Sequence, residues 1–410
     1  MTAFLFEAKE RMLSTLSTRQ LALLLAINMA MTPFAVDAYL PAMPQLAAHL
    51  GASVQATAIS LSVFLLGFAV GQLIFGPISD WLGRRPVVLT GALVFFLSSL
   101  ALTQVTHVHA LWVLRFVQAL GGGACAVNAS AIVRDQFSGR EAARVLSTML
   151  MLLLLAPLTA PSIGTLLMWI GGWQLIFLFL AAYAAGVGIL VALKLPETRI
   201  RGVRPSIPRI FRNYGQVLTH RAGIGYIAAV ACSYAGIFSF LASSPYLCLT
   251  YYHLPEQYYA LMFASNVILV VSFNRLNLTL LKHHAPRRIL RIGLMVQGIA
   301  SVLAMLVVVS GLDTFWSLMP LVIMFCCING LINANAVSSL LDHFPHMSGT
   351  ANAVMGCLQF GAGALASALV NAMGDSGPWP LVSILLCAAI ISNVLIRWLA
   401  SPLPDNQTAA

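Results

Sequence analysis

Charge is scarce in this chain. Only 8% of its 410 residues are Asp, Glu, Lys or Arg, against about 25% in soluble domains, while 60% are hydrophobic. A water-soluble protein of this size could not hide so much apolar surface. Acids are scarcest, at 12 against 22 Lys and Arg, for a net charge of +10. The apolar runs do not alternate, which excludes a membrane β-barrel. The seven cysteines (Cys125, Cys232, Cys248, Cys326, Cys327, Cys357 and Cys387) form no Cys-x-x-Cys pair. They read as small buried hydrophobes rather than as disulfide partners. No Walker loop is present, so ATP is not the energy source. No Ser-His-Asp or paired-carboxylate arrangement suggests an enzyme. His283-His284 and His343-x-x-His346 lack the carboxylate or thiol spacing of a metal site, so neither metal nor cofactor is expected. The N-terminal segment carries Glu7 and Glu10 and lacks a signal-peptide cleavage pattern, so the first span is expected to be retained as an anchor.

What remains is a helical membrane protein with about 20 apolar residues per span. The apolar runs predict twelve spans, near 20–40, 54–77, 86–104, 110–133, 145–168, 173–194, 223–250, 257–275, 288–310, 315–340, 349–373 and 379–400. The placement of charge argues against nucleic acid as a partner. Arg115 lies inside a span. The other cations fall at the N-terminus (Lys9, Arg11, Arg19), around residues 84–85, 134–144, 194–221 and 275–291, and at Arg397. The intervening junctions, near 41–53, 104–110, 169–173, 251–257, 311–314 and 374–379, have no Lys or Arg. That alternation predicts both termini in the cytoplasm and an even number of spans.

An internal repeat divides the chain. A shift of 207 residues aligns Asn128-Ala129 with Asn335-Ala336, Asp135 with Asp342, Phe137 with Phe344 and Tyr39-Leu40 with Tyr246-Leu247. Two six-helix bundles are expected, at 1–195 and 222–410, joined by a basic cytoplasmic linker at 196–221 whose short helix lies on the membrane surface. The same shift sets Asp37 against Ser244, Arg115 against Val322 and Arg134 against Leu341. Charge that could drive coupling is therefore concentrated in the first half.

The most specific text is the turn Gly76-Pro77-Ile78-Ser79-Asp80-Trp81-Leu82-Gly83-Arg84-Arg85-Pro86. Its Gly76, Asp80, Gly83, Arg84 and Arg85 resemble the loop between helices 2 and 3 of the major facilitator superfamily, which are secondary transporters. The stretch Asp37-Ala38-Tyr39-Leu40-Pro41-Ala42-Met43-Pro44 is similar to the Bcr/CflA branch of drug:proton antiporters, and so is Gly349 to Ala362. Leu114-Arg115-Phe116-Val117-Gln118-Ala119-Leu120-Gly121 resembles the helix 4 motif of drug antiporters. Pro157, Ala160, Pro161 and Gly164 resemble the antiporter motif Gly-Pro-x-x-Gly-Gly, with Ala160 and Thr165 in place of its glycines.

The resemblance implies an all-α major facilitator fold and proton-coupled export of lipophilic drugs across a bacterial inner membrane by a monomer. Asp37 alone among the twelve acids lies within a span. Such a carboxylate usually faces a water-filled cavity, and desolvation disfavours its charged form, so it could exchange a proton near neutral pH. The alternative is a helix-end acid at the outer interface. In the family the arginine of helix 4 tunes proton release from the helix 1 acid, which here assigns Arg115 to Asp37. The alternative is a structural arginine bonding backbone carbonyls. The charged turn is expected to act as a latch. Asp80 would cap the helix starting near Ser348-Gly349-Thr350, and Arg84 would pair with Asp135; the alternative is that its arginines only mark the inner face.

Phe34, Tyr39, Phe64, Tyr234, Phe238, Tyr246, Asn329, Asn333 and Gln359 are candidates for a substrate cavity, each with ordinary packing as its alternative. Asn28 and Met29 stand where some related carriers hold a second acid, which favours neutral or zwitterionic drugs such as chloramphenicol over dications. Two rival functions stay open: a proton-coupled importer on the same fold, and a membrane enzyme or non-transporting subunit.

Overall fold

A computed structural model of the chain describes residues 17–137, 141, 145–146, 148–149, 152–153, 155–198, 207–344, 347–374 and 376–399. The N-terminal Lys9 and Arg11, the linker arginines Arg199, Arg201 and Arg204, and His346 lie outside the described residues, as do the side chains of Arg134, Ser348 and Gly349. The described residues form helices and no strand. They fall in two compact units, Met1–Ile207 and Pro208–Ala410.

The N-terminal unit contains α1 (Thr18–Asp37), α2 (Met43–His49), α3 (Val54–Leu82), α4 (Arg84–Leu102), α5 (Val108–Gln136), α6 (Leu155–Gly171) and α7 (Trp173–Lys194). Ser17 starts α1 with a reciprocal capping box to Gln20, which satisfies two of the free amides at a helix start. Pro41 and Pro44 break the first span after Asp37. A 3₁₀ turn at Leu40–Ala42 then leads into α2. The first apolar run thus reaches His49, beyond the expected limit at residue 40.

Three successive glycines in α5 fit it between its neighbours. A Cβ on Gly121 would stand 2.5 Å from the Gly91 carbonyl oxygen of α4. One on Gly122 would stand 2.9 Å from Thr32 Oγ1 of α1, and one on Gly123 would stand 2.8 Å from the Phe68 carbonyl oxygen of α3. Successive helical residues point about 100° apart, so one short run lets three helices approach. Gly67 and Gly71 answer from α3, with Cβ positions 2.6 Å from Phe116 O and 2.9 Å from Leu120 O. Small residues at such crossings replace the hydrophobic driving force that lipid does not supply.

The C-terminal unit contains α8 (Ile207–Thr219), α9 (Arg221–Pro245), α10 (Glu256–Leu280), α11 (Pro286–Val309), α12 (Phe315–Cys327), α13 (Asn329–Leu341), α14 (Ser348–Ala372) and α15 (Trp379–Leu399). After Pro245 the chain continues as a π turn, Tyr246–Tyr251. The expected span 315–340 is two helices, α12 and α13, which meet at Ile328. The linker helix α8 buries Val217 in a cluster with Tyr226, Leu290 and Phe344, and Tyr214 packs against the same cluster. His220 then caps α9, its Nδ1 accepting the Gly223 N–H at 3.1 Å.

Among the described residues, eleven helical stretches are long and apolar enough to cross a membrane, and the described part of α6 is a shorter apolar helix. Large apolar side chains face outward: Trp169 is 85% exposed and Trp316 80%. That surface suits lipid and not water.

Two predictions follow from these contacts. Gly121→Val should destabilise the N-terminal unit by about 1–3 kcal/mol, as overpacking does, and should lower the melting temperature in detergent more than Gly186→Val, whose Cβ would meet nothing within 4 Å. For His220, desolvation first and His343 second hold the imidazole below its ordinary pKa. Its neutral form is the cap, so that stabilisation is present above about pH 6.5 and fades as pH falls through the depressed pKa of the folded state. The protection of the Gly223 and Ile224 amides, after correction for the intrinsic pH dependence of exchange, should fall on acidification and should not do so in His220→Asn.

Candidate functional site

The N-terminal unit encloses a cation. Arg115 sits on α5 and is fully buried. Its guanidinium carbon lies 4.6 Å from the ring centre of Tyr39 and 4.4 Å from that of Phe64. Nη1 donates to Gln118 Oε1 at 2.8 Å and Nη2 donates to the Ala35 carbonyl at 3.0 Å. Gln118 Nε2 passes the chain on to Ser99 Oγ at 2.7 Å, and Tyr39 shares a 3.0 Å hydrogen bond with Ser60. Each element contributes for a reason of its own. The chain turns after Asp37 and brings Tyr39 over α5. Phe64 projects from α3, held close by Gly67. A desolvated cation between two π faces gains about 2 kcal/mol or more. Nε of Arg115 is buried without a hydrogen-bond partner.

Asp37 is the last residue of α1 and is 7% exposed. Among the described residues it makes no ion pair with Arg115, whereas Arg84 pairs with Asp80 and Asp135. The two predicted coupling residues meet through backbone instead. Arg115 holds the carbonyl of Ala35, two residues before the acid, and α6 covers the residue after it. The small residues Ala156, Ala160 and Gly164 fall on one buried face of α6. A Cβ on Gly164 would run into the Ala38 carbonyl group. Pro161 is buried in α6 and Pro157 half-buried. The glycine of the motif therefore meets the backbone one residue beyond the acid.

Two of the aromatic candidates for the cavity belong to this arrangement. Tyr39 and Phe64 are fully buried and serve as the faces that sandwich Arg115, because a cation without water needs them there. Phe34 is half-exposed beside Phe179 and Tyr183, with ring centres 5.8 Å and 5.4 Å away. In the C-terminal unit, Tyr234, Phe238 and Phe360 form a triangle of rings, each pair within 6.0 Å. Asn333 Nδ2 reaches the Tyr234 hydroxyl at 3.5 Å. Asn329 sits where α13 begins and accepts from Ser233 Oγ at 3.1 Å, and Gln297 donates to that same oxygen at 2.9 Å. Gln359 is nearly buried, and Tyr246 lies on the π turn beside Tyr251. Gln118, Ser99, Ser233, Gln297 and Phe360 received no role from the sequence. Each is unremarkable in text and becomes polar support or a ring partner only once helices cross.

The charged turn is a closed knot. Gly76 accepts the Ser79 hydroxyl at 2.8 Å, and Ser79 accepts from Arg84 Nη1 at 2.6 Å. Arg84 also pairs with Asp80 at 2.5 Å and with Asp135 of α5 at 2.9 Å. Gly83 adopts φ +113°, which favours glycine. The sequence missed the partner that completes the knot. Glu197, just past α7, accepts the N–H groups of Arg84 and Arg85 at 2.9 Å and 3.2 Å. A carboxylate at a helix start satisfies free amides and suits the dipole. Arg85 in turn donates to the Ala192 carbonyl at 2.5 Å. The signal that could have found Glu197 is that it is an acid in an otherwise basic linker.

Glu197→Gln should lower stability by about 1 kcal/mol, the range of a lost cap. Gly83→Ala should cost about 1–3 kcal/mol from backbone strain, since its Cβ would also stand 2.8 Å from the Glu197 carboxyl carbon. Thermal unfolding in detergent would rank the two, with Gly83→Ala the less stable.

Comparison with known proteins agrees with this geometry. The family profile described as Major Facilitator Superfamily matches residues 25–368. The chain is 31% identical to the Bicyclomycin resistance protein homolog of Haemophilus influenzae, over 94% of this chain and 97% of that one. It is 29% identical to the Chloramphenicol resistance protein of Pseudomonas aeruginosa, covering 87% and 85%. It is 31% identical to the Multidrug resistance protein MdtL of Salmonella paratyphi B, covering 89% and 91%. Among solved structures, the xylose transporter XylE from E. coli has the same fold at 14% identity, with a TM-score of 0.72 over 93% of this chain and 97% of that one. The chain belongs to the major facilitator superfamily, as a multi-pass membrane transport protein and not an enzyme.

Proposed function

We propose that this transporter exports lipophilic drugs across the bacterial inner membrane in exchange for protons, with both termini in the cytoplasm. The observation that carries the reading is Asp37: a nearly buried acid at the end of α1, with no ion pair and followed by Ala38, whose carbonyl group meets Gly164 of α6. An acid in such a place is costly unless its proton is used. In the cycle, Asp37 takes a proton from the outside, which releases drug and allows return. Drug binding from the inside displaces the proton. Arg115 favours the ionised carboxylate by its positive charge, held on the Ala35 carbonyl two residues before the acid. The knot around Arg84 and Asp135 steadies the turn that latches one state. The resistance names of the relatives support export over import. Exchange of a proton for a neutral drug moves charge, so membrane potential contributes about 2.3 kcal/mol per charge per 100 mV.

The aromatic triangle at Tyr234, with amide groups beside it and no acid next to Asn28, supports neutral or zwitterionic cargo such as chloramphenicol. In a sensitised bacterium, Asp37→Asn should abolish gradient-driven efflux while the purified variant still binds drug. Unimpaired efflux by that variant would remove Asp37 from the mechanism. Robust export of a quaternary dication dependent on Asp37 would overturn the assignment of cargo. Deeper intracellular accumulation of the solute under an imposed pH gradient would favour the importer.

A further inference from the structure

The outer surface of the C-terminal unit carries a groove of about 610 Å³ between α11 and α15. Met295, Gly298, Ile299 and Val302 line one wall, and Asn393 and Val394 the other. Asn393 fixes the floor by donating to the Leu294 and Ala389 carbonyls, each at 2.9 Å. Gly298 leaves that floor low: a Cβ there would come no nearer than 3.5 Å to Asn393 Nδ2. Where α11 begins and α15 ends, the groove reaches Arg397 and Trp398. Arg288 and Arg291 lie on the α11 stripe that continues through Met295, Gly298 and Val302, at helical spacing. Arg221 belongs to the same end, donating to the Trp398 carbonyl at 3.1 Å. Arg288, Arg291 and Arg397 are exposed, and the side chains of Arg288 and Arg397 have no hydrogen bond or ion pair with the described residues.

An apolar trough that opens onto unneutralised guanidinium groups is complementary to one chemistry: an acyl chain joined to an anionic phosphate. We propose that this groove binds an anionic glycerophospholipid, one acyl chain lying over Gly298 and the phosphate held by Arg397 and Arg291. Trp398 marks the headgroup level, where tryptophan anchors membrane proteins. Basic sites between membrane helices hold such headgroups, and the volume is that of a small-molecule site, about 300–1,000 Å³. The site stands on the outside of its unit, so it requires neither the proton cycle nor the cargo proposed above.

The test uses the purified full chain in detergent with dioleoylphosphatidylglycerol or dioleoylphosphatidylcholine, read by native mass spectrometry and by thermal shift. The wild type should retain one phosphatidylglycerol under activation that strips phosphatidylcholine, and only the former should raise the melting temperature. Arg291→Gln with Arg397→Gln should weaken that retention about thirtyfold, each cation near an anionic lipid contributing about fivefold. Gly298→Leu, which fills the floor and keeps both arginines, should displace the lipid by a separate route. Equal retention of the two lipids by the wild type would mean an ordinary lipid annulus and overturn the proposal. So would wild-type retention by both variants, whose folding is checked beforehand by elution profile and helical circular dichroism.

Discussion

A guanidinium group shut away from water organises the first half of this transporter. An unpaired cation in an apolar interior is costly, so Arg115 must be matched by whatever surrounds it. The match is distributed over two ring faces, one amide and one backbone carbonyl. These come from α1, from the turn after it, from α3 and from α5 itself, so the cation ties three helices at one depth. The Asp37 carboxylate sits at the edge of this arrangement without sharing in it. The arginine therefore does not hold the acid in an ion pair.

The two halves solve the same problem of polar groups in an apolar interior with different residues. Asn128 and its counterpart Asn335 do the same thing: each buried amide donates to the carbonyl four residues earlier, at 2.7 Å. Elsewhere they diverge. Where the first half holds Arg115, the second has Val322 and builds its network from Gln297, Ser233 and Asn329, all uncharged. The buried network of the first half therefore includes a charge, while that of the second is built from uncharged groups.

Most spans were legible because hydropathy and length decide them, while the first runs on to His49 past a proline break that hydropathy does not register. The charged turn and the pairing of Arg84 with Asp135 were legible because glycine, acid and arginine at fixed spacing leave few alternatives. The division of labour at Arg115 was not. Reading a sequence pairs an acid with a base by charge, whereas the fold satisfies the base with Tyr39, Phe64 and Gln118, whose approach depends on crossings set by Gly67 and Gly121. That Tyr39 and Phe64 face a cation was hidden because an aromatic side chain reads the same whatever it faces. The break at Ile328 was hidden because the apolar text runs through it. Glu197 was hidden by distance, since nothing near residue 84 signals an acid so far along the chain.

That distance has a consequence for biogenesis. The amides of Arg84 and Arg85 are served by a carboxylate more than a hundred residues downstream. A chain emerging from the ribosome N-terminus first can insert its second and third spans long before Glu197 exists. The elbow at Gly83 must therefore stay provisional until the sixth span has been made, and it locks only as the first half is finished. Closure of this knot reports that the half is complete.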